Sequence, residues 1–173
     1  MTILLTSFTT WLFHQKSNAA DDLLEMLAQQ NNKYLYHYLR KLPVETTAAS
    51  EIAISKIQEL KPSAVICCGM AESRYNLTIE SNARCDLDRL QTSVDLATLV
   101  SQLSNTYISH DAGQFVCEGL YYQVLRYLRS NDLLIPCIFV HVPVLTSENT
   151  ETILQDFMFI VQNMNSQILL QEF

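Results

Sequence analysis

Two unbroken apolar runs constrain the fold of this chain more than any other feature. Residues 64–68 read Ala-Val-Ile-Cys-Cys, and residues 137–140 read Cys-Ile-Phe-Val. A strand with one solvent-exposed face alternates apolar and polar residues, whereas an unbroken apolar strand is buried on both faces. Both runs therefore predict central strands of a mainly parallel sheet that helices cover on both sides.

The rest of the sequence alternates further short strands with longer helical patterns. We predict strands at residues 3–5, 34–39, 77–79 and 106–109, and helices at residues 19–30, 48–60, 96–103, 115–129 and about 151–170. Such alternation favours a three-layer α/β/α fold with a twisted sheet. No repeat or composition change divides the chain, so we expect a single domain over residues 1–173.

Charge and hydropathy exclude some classes of function. Eighteen acidic and eleven basic residues give a formal charge of −7, which argues against a general nucleic-acid binder. No apolar stretch approaches the ~20 residues that span a bilayer, and the first residues lack a basic signal-peptide region. We therefore expect a cytoplasmic protein that does not engage a membrane.

The five cysteines show neither disulfide-framework nor metal-site spacing. Cys67, Cys68 and Cys137 lie inside apolar runs and are predicted to pack as small hydrophobic residues in a reducing compartment. We expect no metal site. The chain has three glycines and no phosphate-binding glycine-rich loop.

Three polar residues are candidates for catalysis, because active sites of such sheets lie beyond the carboxyl ends of strands. Cys117 falls in the predicted first turn of a helix, where unpaired amides and the helix dipole favour a thiolate. His141 ends an apolar strand, and Glu80 follows another. A cysteine nucleophile needs a nearby base, and that base needs an orienting acceptor.

Each of these residues also has an ordinary structural interpretation. Cys117 has apolar neighbours and could simply pack on a buried helix face, His141 could cap its strand, and Glu80 could be a surface carboxylate. His110 and Asp111 form a second candidate base and partner, although adjacent residues suit a turn better than a relay.

Three segments, in order, resemble the pyroglutamyl peptidase I family (peptidase family C15). Residues 60–80 contain a strand, then Gly69-Met-Ala-Glu-Ser-Arg74 and Leu-Thr-Ile-Glu80, similar to the family's Gly-x-Ala-x-x-Arg turn and glutamate. Ser109-His-Asp-Ala-Gly-Gln-Phe-Val-Cys117 resembles Ser-x-x-Ala-Gly-Thr-Phe/Tyr-x-Cys, and Phe139-Val-His-Val-Pro143 resembles Phe-x-His-x-Pro.

The resemblance implies a cysteine exopeptidase that removes an N-terminal pyroglutamate from peptides without a metal or organic cofactor. It assigns Cys117 as nucleophile, His141 as general base and acid, and Glu80 as the orienting carboxylate. It also implies an α/β/α fold shared with nucleoside phosphorylases.

The substrate-binding residues depart from the family pattern. Phe8 and Trp11 stand where the family has two phenylalanines that hold the lactam ring, and both nearby glycines are lost. Met70 follows Gly69, where a backbone contact to the lactam is expected, and Phe115 and Val116 should line the pocket. Alternatively, Phe8, Trp11 and Phe13 form a core cluster under a loop.

Further departures affect residues around the triad. Glu118 replaces an asparagine after the nucleophile, and Arg89 lies one position from the family's arginine in a stretch that otherwise differs from Arg84 onward. Between Gln91 and Tyr107 the chain lacks roughly one helix-and-loop unit.

Three functions are compatible with the sequence. The leading one is the peptidase, with an altered or relaxed preference at the amino terminus. The others are a catalytically weak module that binds a peptide or partner protein, and an amidase that acts on small lactams. The oligomeric state is not predicted, since Tyr34, Tyr36 and Tyr38 could line an interface between copies or pack beneath a helix.

Overall fold

The computed structural model describes residues 2–30 and 35–166. Within them lies a six-stranded mixed sheet with the order β2-β1-β3-β8-β4-β7, and a separate β5-β6 hairpin. The strands are β1 (Thr2–Phe8), β2 (Leu35–Leu42), β3 (Ala64–Met70), β4 (Leu77–Glu80), β5 (Asn82–Cys85), β6 (Asp88–Gln91), β7 (Thr106–Ser109) and β8 (Cys137–Val142). The helices are α1 (Ala19–Gln29), α2 (Thr46–Leu60), α3 (Leu96–Val100), α4 (Val116–Ser130) and α5 (Thr150–Ser166).

The predicted α/β/α layering is confirmed. One face of the sheet packs against α1, α3 and α5, and the other packs against α2 and α4. The two apolar runs became β3 and β8, which pair in parallel at the centre and are buried on both faces. Cys67, Cys68 and Cys137 are buried there, as predicted.

Two strands run against the parallel direction. β4 pairs antiparallel with β8, and β7 follows β4 in parallel. The end of β4 therefore points away from the carboxyl ends of β3 and β8, so the expectation that Glu80 lies beyond those ends was wrong. Glu80 instead pairs with Phe139, two residues before His141 on the same face of β8.

Capping explains where two helices begin. Asn18 accepts a hydrogen bond from the Ala20 amide at the start of α1. The Glu45 carboxylate accepts from the Thr47 and Ala48 amides, so α2 begins at Thr46, two residues earlier than predicted. α3 ends at Val100, three residues earlier than predicted.

Two sequence predictions fall partly on residues outside the described part of the chain. They are Tyr34 at the start of the second strand and residues 167–170 at the end of the last helix. Among the described residues, no helix is long and apolar enough to span a membrane.

Candidate active site

A cavity of about 550 Å³ opens at the carboxyl ends of β1, β3 and β8. The β1–α1 loop, the β3–β4 turn and the first turns of α2 and α4 enclose it. Its lining residues include Phe8, Trp11, Gln15, Met70, Glu72, Arg74, Phe115, Val116, Cys117 and His141.

Cys117 lies in the first turn of α4, directly against β3. A Cβ built on Gly69 would lie 2.7 Å from the Cys117 Sγ and 2.9 Å from the Phe139 Cζ. Only a residue without a side chain lets the sulfur approach the strand this closely. Gly69 is also the register partner of His141 on β8, so the sulfur and the imidazole share one wall of the cavity.

The acidity of Cys117 differs from the sequence-based expectation. Burial, together with the negative charge of Glu80, raises the pKa of the Cys117 thiol to about 12. The helix start does not offset this desolvation. The resting side chain at neutral pH is therefore a thiol, and the expectation of a lowered pKa was wrong.

His141 and Glu80 form a buried hydrogen-bonded pair. The Nδ1 of His141 lies 2.8 Å from Glu80 Oε1, and Glu80 has no exposed surface. Because an ionised carboxylate can only accept, Nδ1 carries the proton in this pair. The other ring nitrogen, Nε2, is then left as an acceptor, and His141 lines the cavity.

Arg74 completes the support of this pair, and our sequence analysis assigned it no role in the site. Its guanidinium donates to Glu80 Oε1 at 2.6 Å, to the Thr78 hydroxyl and, at 2.8 Å, to the backbone oxygen of Asp111. It therefore links the carboxylate to the loop that precedes α4. The available signal was its place as the arginine of the Gly69–Arg74 turn, which joins β3 to β4.

The surroundings shift the pKa values of both members of the pair downward. Burial alone would raise the pKa of Glu80, but interactions with His141, Ser109 and Arg74 outweigh it. The Ser109 hydroxyl is close enough to lower that pKa, while Glu80 Oε2 accepts no hydrogen bond of good geometry. Burial lowers the pKa of His141, and Glu80 offsets only part of that shift. Neutral pH therefore leaves a carboxylate beside a neutral imidazole.

The five residues predicted to bind substrate all line the cavity: Phe8, Trp11, Met70, Phe115 and Val116. Phe8 is buried in the core, whereas Trp11 and Phe115 are 55% and 70% exposed. Their rings lie 5.8 Å apart between centroids. Since Trp11 and Phe13 are exposed, the alternative of a core cluster under the loop was wrong.

The other polar candidates lie elsewhere. His110 Nδ1 is 2.7 Å from the Ser81 hydroxyl, and neither residue lines the cavity. Glu118 accepts a hydrogen bond from the Arg84 amide, so its carboxylate faces the β5–β6 hairpin. Arg89 donates to Asn82 within that hairpin.

No group of three or more His, Cys, Asp or Glu residues could hold a metal ion in the part of the chain that the structure describes.

The chain is similar in sequence to curated pyrrolidone-carboxylate peptidases. It is 27% identical to the one from Brachyspira hyodysenteriae over 139 residues, which take in 62% of this chain and 67% of the relative. It is 30% identical to the one from Thermoanaerobacter sp. over 131 residues, or 61% of this chain and 64% of the relative. The matched region thus spans about two thirds of these relatives. No protein-family model matches the chain.

The fold matches as well. A mutant pyrrolidone carboxyl peptidase from Pyrococcus furiosus superposes with a TM-score of 0.83 over 96% of this chain and 99% of that chain, at 19% identity. The Brachyspira alignment covers 139 positions but only 62% of this 173-residue chain, so the relative has residues within it that this chain lacks. In sequence and in fold the chain is therefore similar to the pyrrolidone-carboxylate peptidases, although it is divergent from them and shorter than the Brachyspira relative within the matched region.

Proposed function

We propose that this protein is a cysteine exopeptidase, an omega peptidase, that hydrolyses the amide bond after an N-terminal pyroglutamate residue. The observation that carries the proposal is the buried Glu80–His141 hydrogen bond in the cavity wall that also holds Cys117. The names of the curated relatives support the choice of substrate.

The neutral resting pair defines the first chemical step. As the Cys117 sulfur attacks the acyl carbon and the S–C bond forms, the thiol proton passes to Nε2 of His141. The structure records no hydrogen bond between these two groups, and catalytic hydrogen bonds commonly tighten only when substrate is bound. The thiol pKa of about 12 supports this role for the histidine, since little thiolate exists beforehand.

Glu80 orients the base and stabilises its charged form. By accepting from Nδ1, it fixes the tautomer that leaves Nε2 free to take the proton. Once the imidazolium forms, the carboxylate lies 2.8 Å from it in a site with little access to water, where opposite charges attract strongly.

The first turn of α4 offers donors for the developing oxyanion. No side chain caps this helix, whose N-cap residue is Phe115. The first backbone N–H groups of a helix lack partners within it and favour negative charge. We therefore assign the amides that follow Phe115 to the carbonyl oxygen in the tetrahedral intermediate.

The remaining steps return the enzyme to its starting state. The intermediate collapses with cleavage of the C–N bond, and His141 gives its proton to the leaving amine. Water then attacks the thioester while His141 takes a proton from it, and the S–C bond breaks to release 5-oxoproline. The same proton returns to the sulfur.

The test is the release of a fluorophore from a 5-oxoprolyl amide under reducing conditions. We expect turnover by the parent and none by Cys117→Ser, which keeps the shape of the side chain but replaces the thiol with a much weaker nucleophile. A parent of unchanged fold that releases no fluorophore would contradict the proposal.

A second candidate, a peptide- or partner-binding module, is favoured by the raised pKa of Cys117 and by the residues missing relative to Brachyspira. In this case an N-terminal pyroglutamyl peptide would bind equally well to the parent and to Cys117→Ser, and neither would cleave it.

A further inference from the structure

Trp11 lies on the β1–α1 loop and forms the outer wall of the cavity. Its ring packs against Phe115, two residues before Cys117, yet more than half of its surface is exposed. A side chain this exposed is not held in place by core packing. Its position must depend on how the β1–α1 loop is fixed.

Gln15 fixes the turn that carries Trp11. Its Oε1 accepts hydrogen bonds from the Trp11 amide at 3.0 Å and from the Leu12 amide at 3.2 Å. The backbone N–H of Gln15 in turn donates to the backbone carbonyl of Leu12 at 3.0 Å. The half-buried Gln15 side chain thus satisfies the backbone amides on either side of the Trp11 carbonyl.

The other end of the Gln15 side chain crosses to the β3–β4 turn. Its Nε2 donates to Glu72 Oε1 at 2.8 Å. His14 Nε2 lies 3.2 Å from both oxygens of the same carboxylate. These hydrogen bonds hold the pKa of Glu72 below its usual value, so Glu72 is ionised at neutral pH.

This arrangement, the His14–Gln15–Glu72 clasp, joins two sides of the cavity. Glu72 lies between Ala71 and Arg74, the residue that supports Glu80, while Gln15 belongs to the loop with Trp11. Each partner is polar and partly exposed, and neither side needs the contact to complete its core. A bond between two loops across a cavity restricts the shape of that cavity.

We propose that Gln15 and Glu72 are positioning residues that set the place of Trp11 and thereby select a small, flat group ahead of the scissile bond. This inference deepens the proposed function and rests on it for the identity of that group. With the clasp closed, Trp11 stays against Phe115 and narrows the cavity. With the clasp open, Trp11 moves away from Phe115, and a small substrate ring loses its contact with the indole.

The sole tryptophan of the chain allows the clasp to be tested without an activity assay. We would measure acrylamide quenching of Trp11 fluorescence in the parent, in Gln15→Glu and in Glu72→Ala. Gln15→Glu keeps the acceptor for the Trp11 and Leu12 amides but removes the donor to Glu72 and adds repulsion. Exposed hydrogen bonds and ion pairs are individually weak, so their loss should displace Trp11 only part of the time. We therefore expect the quenching constant to rise about two- to threefold in both variants.

The kinetic measurement is the KM for the 5-oxoprolyl amide. We expect both variants to raise KM about threefold with little change in kcat, because a wall contact contributes to binding in the ground state and in the transition state alike. Glu51→Ala, which removes an exposed carboxylate on α2, is the matched control and should change neither quantity.

Unchanged quenching and unchanged KM in Glu72→Ala, at an unchanged melting temperature, would overturn the proposal. If the parent lacks activity, the proposed function fails, whereas the quenching result still decides whether the clasp positions Trp11. A fall in kcat without a change in KM would also overturn it, since that would place Glu72 in the support of Arg74 and Glu80.

Discussion

At the scale of single residues, the proposed mechanism depends most on the buried carboxylate of Glu80. It has no exposed surface, and one of its oxygens lies 2.8 Å from His141 Nδ1 and 2.6 Å from a nitrogen of Arg74. Burying a charge is costly unless it is paired and hydrogen-bonded, and Arg74 supplies that pairing. The carboxylate can therefore stay ionised beside the imidazole without solvent.

Glu80→Gln should remove most of the activity and leave substrate binding almost unchanged. The amide keeps the shape of the carboxylate but loses its charge, and it can present a donor to Nδ1 and impose the wrong tautomer. The corresponding loss in a Ser-His-Asp triad is about 10⁴ in kcat, and we expect about 10³–10⁴ here. Steady-state kinetics with the 5-oxoprolyl amide measures this loss of kcat, with Glu51→Gln as the control. A loss of less than tenfold in kcat would argue against the orienting role of Glu80.

The pH profile of kcat/KM should report His141. Its pKa lies below the ordinary value of 6.5, chiefly because of burial, and in the proposed mechanism the neutral ring is the competent base. Activity should thus persist as pH falls below 6.5 and decline only at the lower, folded-state pKa. A midpoint of the acidic limb above 6.5 would contradict this assignment.

At the scale of elements, the position of Cys117 depends on how closely α2 and α4 approach. A Cβ on Gly119 would lie 2.5 Å from Thr46 Cγ2 and 2.7 Å from its Oγ1. Thr46 is the first residue of α2, and Gly119 follows Cys117 by two residues. The glycine therefore lets the starts of both helices meet at the cavity.

Gly119→Ala should destabilise the protein and displace Cys117, although alanine is the better helix former. The helix-propensity gain is about 1 kcal/mol, while forcing extra volume into a packed contact costs about 1–3 kcal/mol. Urea unfolding should show a net loss of stability that Thr46→Ala relieves in the double variant. A single variant more stable than the parent would contradict the close packing.

The sequence predicted the elements with strong apolar patterns and missed those without them. β3 and β8 follow from unbroken apolar runs, and α1 and α4 from helical spacing with suitable first turns. The β5–β6 hairpin was missed because its strands have four residues each and turn at Asp86, which has a positive φ of 53°. The reversed direction of β4 was also missed, since its residues do not encode which neighbour it pairs with.

The same division holds for the candidate site. Motif order indicated Cys117, His141 and Glu80, which the structure gathers around one cavity wall. The contact of Arg74 with Glu80 and the clasp were not predicted, because each depends on turns and loops that meet only in three dimensions. The acidity of Cys117 was predicted wrongly, since its burial against Gly69 outweighs the helix start.

At the scale of the whole molecule, buried thiols should make stability depend on alkaline pH. Burial raises the pKa values of Cys68 and Cys137 well above 9.0, and that of Cys117 to about 12. Their stability contribution is complete below pH 9.0, because both states are then protonated. Above pH 9.0 the unfolded chain releases these protons while the folded chain retains them, so the free energy of unfolding falls.

Urea midpoints measured at neutral pH and at increasing pH above 9.0 test this dependence. We expect the urea midpoint of the parent to fall as the pH rises above 9.0. The midpoint of Cys68→Ala should fall by less over the same pH range, whatever the stability of the variant at neutral pH. Parallel pH dependences in the two proteins would contradict the assignment of the alkaline slope to buried thiols.

The most direct measurement is the labelling of the cysteines by a 5-oxoprolyl chloromethyl ketone, followed by peptide mapping. Displacement of chloride forms a stable thioether on whichever sulfur attacks. Cys85 is exposed and Cys117 is held in the cavity, so the chain carries its own control. A simple chloroacetamide should label Cys85 first. We expect the 5-oxoprolyl reagent to label Cys117 first and Glu80→Gln to slow this reaction. Labelling of Cys85 before Cys117 by both reagents would contradict the assignment of Cys117 as nucleophile.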